Sequence, residues 1–169
     1  MTARDVDHAL ADLAARQYGA FSRSQALLLG ASPGLVHRRL AAGTWLPAAD
    51  GVYRLRGRAA SWEGSLMTAC LATGTGAVVS HQAAAALHCL ASFPPGPVVV
   101  TVRHGTTRVT HLAKIRQSTD LRAEHATVVA GLPVTTLART IVDLAGVCGR
   151  DRLEHALDDA VVRRDLTIG

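Results

Sequence analysis

The chain has 169 residues, 49% of them hydrophobic, with eighteen basic against thirteen acidic side chains and a net charge of +5. That length holds one mid-sized domain or two small ones, and the apolar content argues against a disordered chain. No stretch reaches the roughly 18 uninterrupted apolar residues of a membrane helix, and Asp5, Asp7 and Asp12 break any signal-peptide pattern, so a cytoplasmic protein without membrane contact is expected.

Val6 to Arg16 reads as a first helix, apolar at Val6, Leu10 and Leu13. Ser22 is a good N-cap for a second, with Gln25 placed as in a capping box. Leu27, Leu28 and Leu29 give that helix an apolar face, and Gly30 suits the left-handed conformation that ends it. Ser32 caps a third helix, Pro33 takes its first position where a missing N–H costs nothing, and Gly43 stops it. At about 100° per residue, Leu35, Val36, Arg39 and Leu40 share one side, and Gly34, His37, Arg38 and Ala41 the other. The second side is small and basic, as suits a helix seated in a major groove.

After Gly43 the pattern turns extended. Thr44 to Leu46 and Val52 to Leu55 are strand-like, with Asp50-Gly51 as the tight turn of a wing. Arg54, Arg56 and Arg58 follow, where a phosphate backbone would run. Residues 1–58 are therefore expected to form a winged helix-turn-helix DNA-binding domain. Charge agrees: Arg16 to Arg58 holds seven arginines against one acid, Asp50, a local balance of +6, whereas the ten basic and nine acidic residues from 59 onward leave +1.

Residues 57–61 read as a boundary, and 59–169 as a small mixed α/β domain of antitoxin or interaction type. Its expected elements are a helix from Trp62 to Thr73, a strand at Ala77 to Val79 and a helix from Gln82 to Leu90 capped by Ser80. Strands follow at Pro97 to Val102, Leu112 to Gln117, Val128-Val129 and Leu132 to Thr135, then helices from Leu137 to Val147 and Arg150 to Arg164. The whole is α+β, a winged helix-turn-helix followed by that domain.

Candidate chemistry in the second part is sparse. His81 and His88 lie two turns apart, but a metal site wants a third ligand and Cys89 points away, so structural roles are expected. Cys70, Cys89 and Cys148 read as buried reduced thiols. Asp158-Asp159, with Glu154 and Arg163, reads as a solvated helix face. Thr135 or Thr136 caps the next helix, and Asp143 is expected to make a buried hydrogen bond to Thr140 or Arg139. Arg103, Arg108, Lys114 and Arg116 are basic enough to form a secondary patch. No Walker-type loop, G-x-G-x-x-G, nucleophile elbow or paired carboxylate pattern occurs, so no enzyme, metal or cofactor is expected.

The motif order resembles actinobacterial AbiEi-family antitoxin-domain proteins of the type IV toxin–antitoxin group. The resemblance rests on the wing Gly51-Val52-Tyr53, on the run Ser80-His81-Gln82-Ala83-Ala84-Ala85-Ala86-Leu87-His88, and on the segment from Gly131-Leu132-Pro133-Val134-Thr135-Thr136 through Ala138-Arg139-Thr140 to Asp143-Leu144-Ala145. It covers about Tyr18 to Val162. The resemblance implies a regulator that represses its own promoter through double-stranded DNA, opposing a nucleotidyltransferase-like toxin directly or only genetically. It implies that Ser32, His37, Arg38, Arg39 and Arg54 face DNA; Arg23 and Arg56 complete the candidate set. Many relatives continue into a nuclease-like C-terminal domain, which the expected reading lacks. The wing tip, Pro47-Ala48-Ala49-Asp50, is acidic and argues against minor-groove insertion. Two alternatives stay open: a module that neutralises a toxin without DNA, and the non-catalytic front part of a nuclease-like protein.

Overall fold

The computed structural model describes residues 2–106 and 110–163. They fall into two compact units: residues 2–75, with 110–112 grouping alongside them, and residues 76–106 with 113–163.

The first unit opens with helix α1 (Ala3–Arg16), begun by a reciprocal capping box between Thr2 and Asp5 that extends it one turn before Val6. Strand β1 (Ala20–Ser22) leads into α2 (Arg23–Leu28) and α3 (Pro33–Ala41). Strands β2 (Trp45–Ala49) and β3 (Val52–Leu55) form a hairpin, and the antiparallel sheet runs β1-β3-β2. Helix, strand, two helices and hairpin make a winged helix-turn-helix.

Each local signal acts as its chemistry requires. Ser22 and Gln25 form the capping box of α2, and Ser32 Oγ accepts from the Leu35 amide under Pro33. Gly30 and Gly43 adopt φ of 91° and 63°, conformations that cost other residues about 1–2 kcal/mol. Pro47 is tolerated because β2 is an edge strand, and the register slips between Pro47 and Ala49. The core gathers Val6, Leu10 and Ala14 of α1, Ala26 of α2, and Leu35 and Val36 of α3 over a ring trio. Phe21 lies 4.9 Å from Trp45 and 5.9 Å from Tyr53, both edge-on. The leucine triplet behaves otherwise than expected. Ala26 is the buried residue of α2, only Leu29 packs against the core, and Leu28 is 86% exposed. The helix has six residues, too short to present three consecutive leucines inward.

Helix α4 (Trp62–Thr73) belongs to this unit and packs along all three strands, with Gly64 set close to the Tyr18 carbonyl. The compact unit thus continues to Thr75, past the boundary at 58/59 read from the sequence. The Arg/Gly/Ala passage there is an exposed connection, and a helix buried on almost every side carries no polar stripe to declare which element it covers.

The second unit is built on a mixed sheet ordered β6-β5-β4-β8-β7. Its strands are β4 (Val78–Val79), β5 (Val99–Arg103), β6 (Lys114–Ser118), β7 (Ala126–Val129) and β8 (Leu132–Thr135). β5 and β6 run parallel in register, Val99 beside Lys114 and Thr101 beside Arg116. Helices α5 (His81–Leu87), α6 (Leu137–Ala145) and α7 (Arg150–Val162) pack together around Ala85, Leu90, Phe93, Leu144, Ala156 and Ala160. The alanines at their contacts allow the close approach that the Ala83 to Ala86 run implied.

Candidate nucleic-acid interface

Helix α3 sorts its side chains by period. Leu35 and Val36 are buried, while Gly34, His37, Arg38 and Ala41 are exposed along one side. The Arg38 guanidinium lies beside Gly34, Nη1 3.8 Å from where a Cβ on that glycine would stand, and Ser32 Oγ is 3.9 Å from the same point, ordinary contact distances. Ser32, Gly34 and Arg38 therefore share one small, donor-rich patch. Among the described residues no acid lies within ion-pair distance of Arg38 or His37. A guanidinium so presented keeps its fork of donors for phosphate or guanine edges.

Arg39 does not join this patch. Its guanidinium forms a two-point ion pair with Asp7 of α1, Nε lying 3.1 Å from Oδ1 and Nη2 meeting Oδ2. Both side chains are about one-third exposed, at 32% and 31%. Arg39, expected to face DNA, is held by this pair: one position beyond Arg38 the helix has turned by about 100°, which carries the side chain to the flank facing α1. Asp7 sits next to the buried Val6, and nothing in the sequence linked it to a residue 32 positions away.

The other candidates divide. Arg23 is exposed at the first turn of α2, its amide donating to the Gly51 carbonyl at 2.7 Å, so its side chain leaves from beside the hairpin turn. Arg56 is exposed and lies across the end of α3, Nη2 standing 2.8 Å from where a Cβ on Gly43 would be. Arg54 is half-buried in the central strand between Ala20 and Leu46, on the sheet face opposite Tyr53 and Leu55. Ser32 spends its acceptor on the α3 cap. Arg58, not among the candidates, packs its stem against Gly19.

The second unit assembles a different cluster. Arg139 Nε donates to Asp143 Oδ1 at 2.8 Å, Nη2 to Ser118 Oγ at 3.2 Å, and Nη1 lies 3.2 Å from Asp120. Arg139 and Asp143 are nearly enclosed, at 11% and 7% exposure, and Asp143 Oδ2 is buried without a hydrogen bond among the described residues. The expected Asp143–Arg139 contact is present. Thr136 caps α6, while Thr135 is buried and bonded to Thr140 at 2.7 Å.

Ser80, expected to cap the next helix, makes no cap bond. Its buried hydroxyl instead accepts from Thr101 Oγ1 at 2.7 Å and lies 2.9 Å from His81 Nδ1. His88 Nε2 bonds the Thr135 carbonyl at 2.8 Å, a structural role. Burial lowers the His81 pKa from its usual 6.5; Asp143 opposes this, and Arg116, Arg139 and Lys114 reinforce it. Of the cysteines, Cys70 is buried and Cys148 half-buried, but Cys89, just past α5 with φ of 56°, is exposed rather than buried as expected. Arg103 bonds the Leu121 carbonyl, Lys114 and Arg116 share one face of β6, and Arg108 lies outside the described residues.

Among the described residues no helix is long and apolar enough to cross a membrane. Residues 8–56 match the family model described as transcriptional regulator, AbiEi antitoxin. The matched segment runs from within α1 to just past β3, the whole of the winged helix-turn-helix hairpin included. No curated protein matches the chain.

Proposed function

From an N-terminal domain of the AbiEi antitoxin type, we propose that this protein is a sequence-specific DNA-binding regulator that represses its own promoter. The observation that carries the proposal is the exposed side of α3, where Arg38 and His37 stand beside small residues with no acid in ion-pair distance among the described residues. Arg38 is the base- or phosphate-reading residue in this account, and Arg23 and Arg56 supply phosphate contacts from the hairpin turn and the end of α3. Arg39 is a positioning residue that holds α3 to α1. The acidic Asp50 at the exposed hairpin turn keeps the wing out of the minor groove. Residues 1–58 carry the DNA contacts in this reading, with residues 59–169 as the antitoxin or interaction part. The opposing toxin is of nucleotidyltransferase type.

The test is fluorescence anisotropy with duplex from the gene's own upstream region against a scrambled duplex, at two salt concentrations. Preferential binding is expected, with log affinity falling against log salt by about 0.9 for each phosphate neutralised. Equal, salt-insensitive association with both duplexes would remove the proposal and leave a protein-binding module.

A further inference from the structure

The second unit holds a cavity of about 240 Å³ bordered by His81, Gln82, Val99, Lys114, Arg116 and the Gly146-Val147 turn. Two of its lining residues are cationic and none is acidic. Lys114 and Arg116 are two positions apart on β6, so strand alternation brings them to the same face. Arg116 Nε is buried and has no hydrogen-bond partner among the described residues. An unmet buried donor is costly, and a buried guanidinium donor calls for an acceptor. His81 stands at the border with φ of 54°, a conformation non-glycine residues take rarely and often at functional sites. Its Nδ1 is engaged by Ser80, which leaves Nε2 for a ligand. No carboxylate borders the cavity; Asp143, which acts on His81, pairs through Oδ1 with Arg139, and Asp120 also pairs with Arg139. The two cations and the unmet Arg116 donor give the cavity the chemistry of an anion site.

We infer that this cavity binds a small phosphate-bearing anion, either inorganic phosphate or a compact phosphate monoester, through Arg116, Lys114, His81 and Gln82. Two cations beside neutral donors match a dianion, and the volume lies below the roughly 300–1,000 Å³ of sites for drug-sized molecules. This binding does not depend on the DNA-reading role of α3.

The experiment is calorimetric titration of the full chain with inorganic phosphate, with glycerol phosphate, and with sodium acetate at matched ionic strength. Wild-type protein should bind both phosphates and not acetate. Arg116→Gln should weaken phosphate roughly tenfold to a hundredfold, as loss of a charged hydrogen bond does. Lys114→Gln, at an exposed position, should weaken it while leaving the thermal midpoint unchanged, and Arg38→Ala should have no effect. Absence of phosphate binding by wild-type protein overturns the inference. So does phosphate affinity indifferent to both Arg116→Gln and Lys114→Gln. A duplex-DNA arm separates the two sources of phosphate: if only DNA affinity falls in these variants, the site serves a nucleic-acid backbone and the small-ligand assignment fails.

Discussion

In the first unit Arg38 of α3 stands at the surface with no acid in ion-pair distance among the described residues, whereas in the second Arg139 is enclosed and answered by Asp143, Asp120 and Ser118. Both are helical arginines, the sixth residue of α3 and the third of α6, yet their surroundings give them opposite uses. A buried cation must be compensated to exist at all, so Arg139 is part of the architecture. An exposed cation costs little, contributes little to stability, and remains free to meet an external anion. Arg39 lies between these extremes, about one-third exposed and paired to Asp7.

The sharpest way to break that contrast is at the buried pair. Asp143→Ala should lower the unfolding free energy by about 1–3 kcal/mol, because it strips the nearly enclosed Arg139 of one charged partner and leaves it Asp120 and Ser118. Urea denaturation checks this; a loss under about 1 kcal/mol would mean that water reaches the pair and that the site behaves like a surface one. Ser32→Ala is the next largest effect. It removes the α3 cap and should cost about 1 kcal/mol, with DNA affinity lowered only as far as the helix frays. Smaller still is a pH effect at His81. Its folded pKa lies below the ordinary 6.5, so below that pH the unfolded chain takes a proton that the folded chain holds less readily. Stability should therefore fall as pH drops from 6.5 through the folded value and be unaffected above it, and His81→Gln should flatten that part of the curve. A His81 contribution that grows on acidification would contradict the burial-dominated environment formed with Arg116, Arg139, Lys114 and Asp143.

What could be read from the sequence follows the range of the interactions. The Ser22 and Ser32 caps, the glycine stops at Gly30 and Gly43 and the Asp50-Gly51 turn act within three or four residues, and they stand in the structure where the sequence places them. The Arg139–Asp143 contact also lies within one helical turn and was accessible for the same reason. The failures are contacts across the chain. Ser80 lost its cap role to Thr101, 21 residues on, and Arg39 was claimed by Asp7, 32 residues back. Strand β1 has three residues wedged against a helix cap, too short for an alternating pattern. The cavity was visible only as two members of a scattered basic patch, because parallel pairing of β5 and β6 is what sets Lys114 beside Val99 and Arg116 beside Thr101, with His81 at the same cavity.

The central claim, that adjacent arginines of one helix divide into a reader and a brace, is tested most directly by parallel measurements on Arg38→Ala and Arg39→Ala. Anisotropy with the upstream duplex and thermal unfolding would be recorded for each. Arg38→Ala should leave stability within about 0.5 kcal/mol of wild type and weaken binding by 1–3 kcal/mol, about fivefold to more than a hundredfold. Arg39→Ala should lose up to about 1 kcal/mol of stability and bind DNA with nearly wild-type affinity when folded. The reverse pattern, with Arg39→Ala abolishing binding and Arg38→Ala silent, would contradict the account.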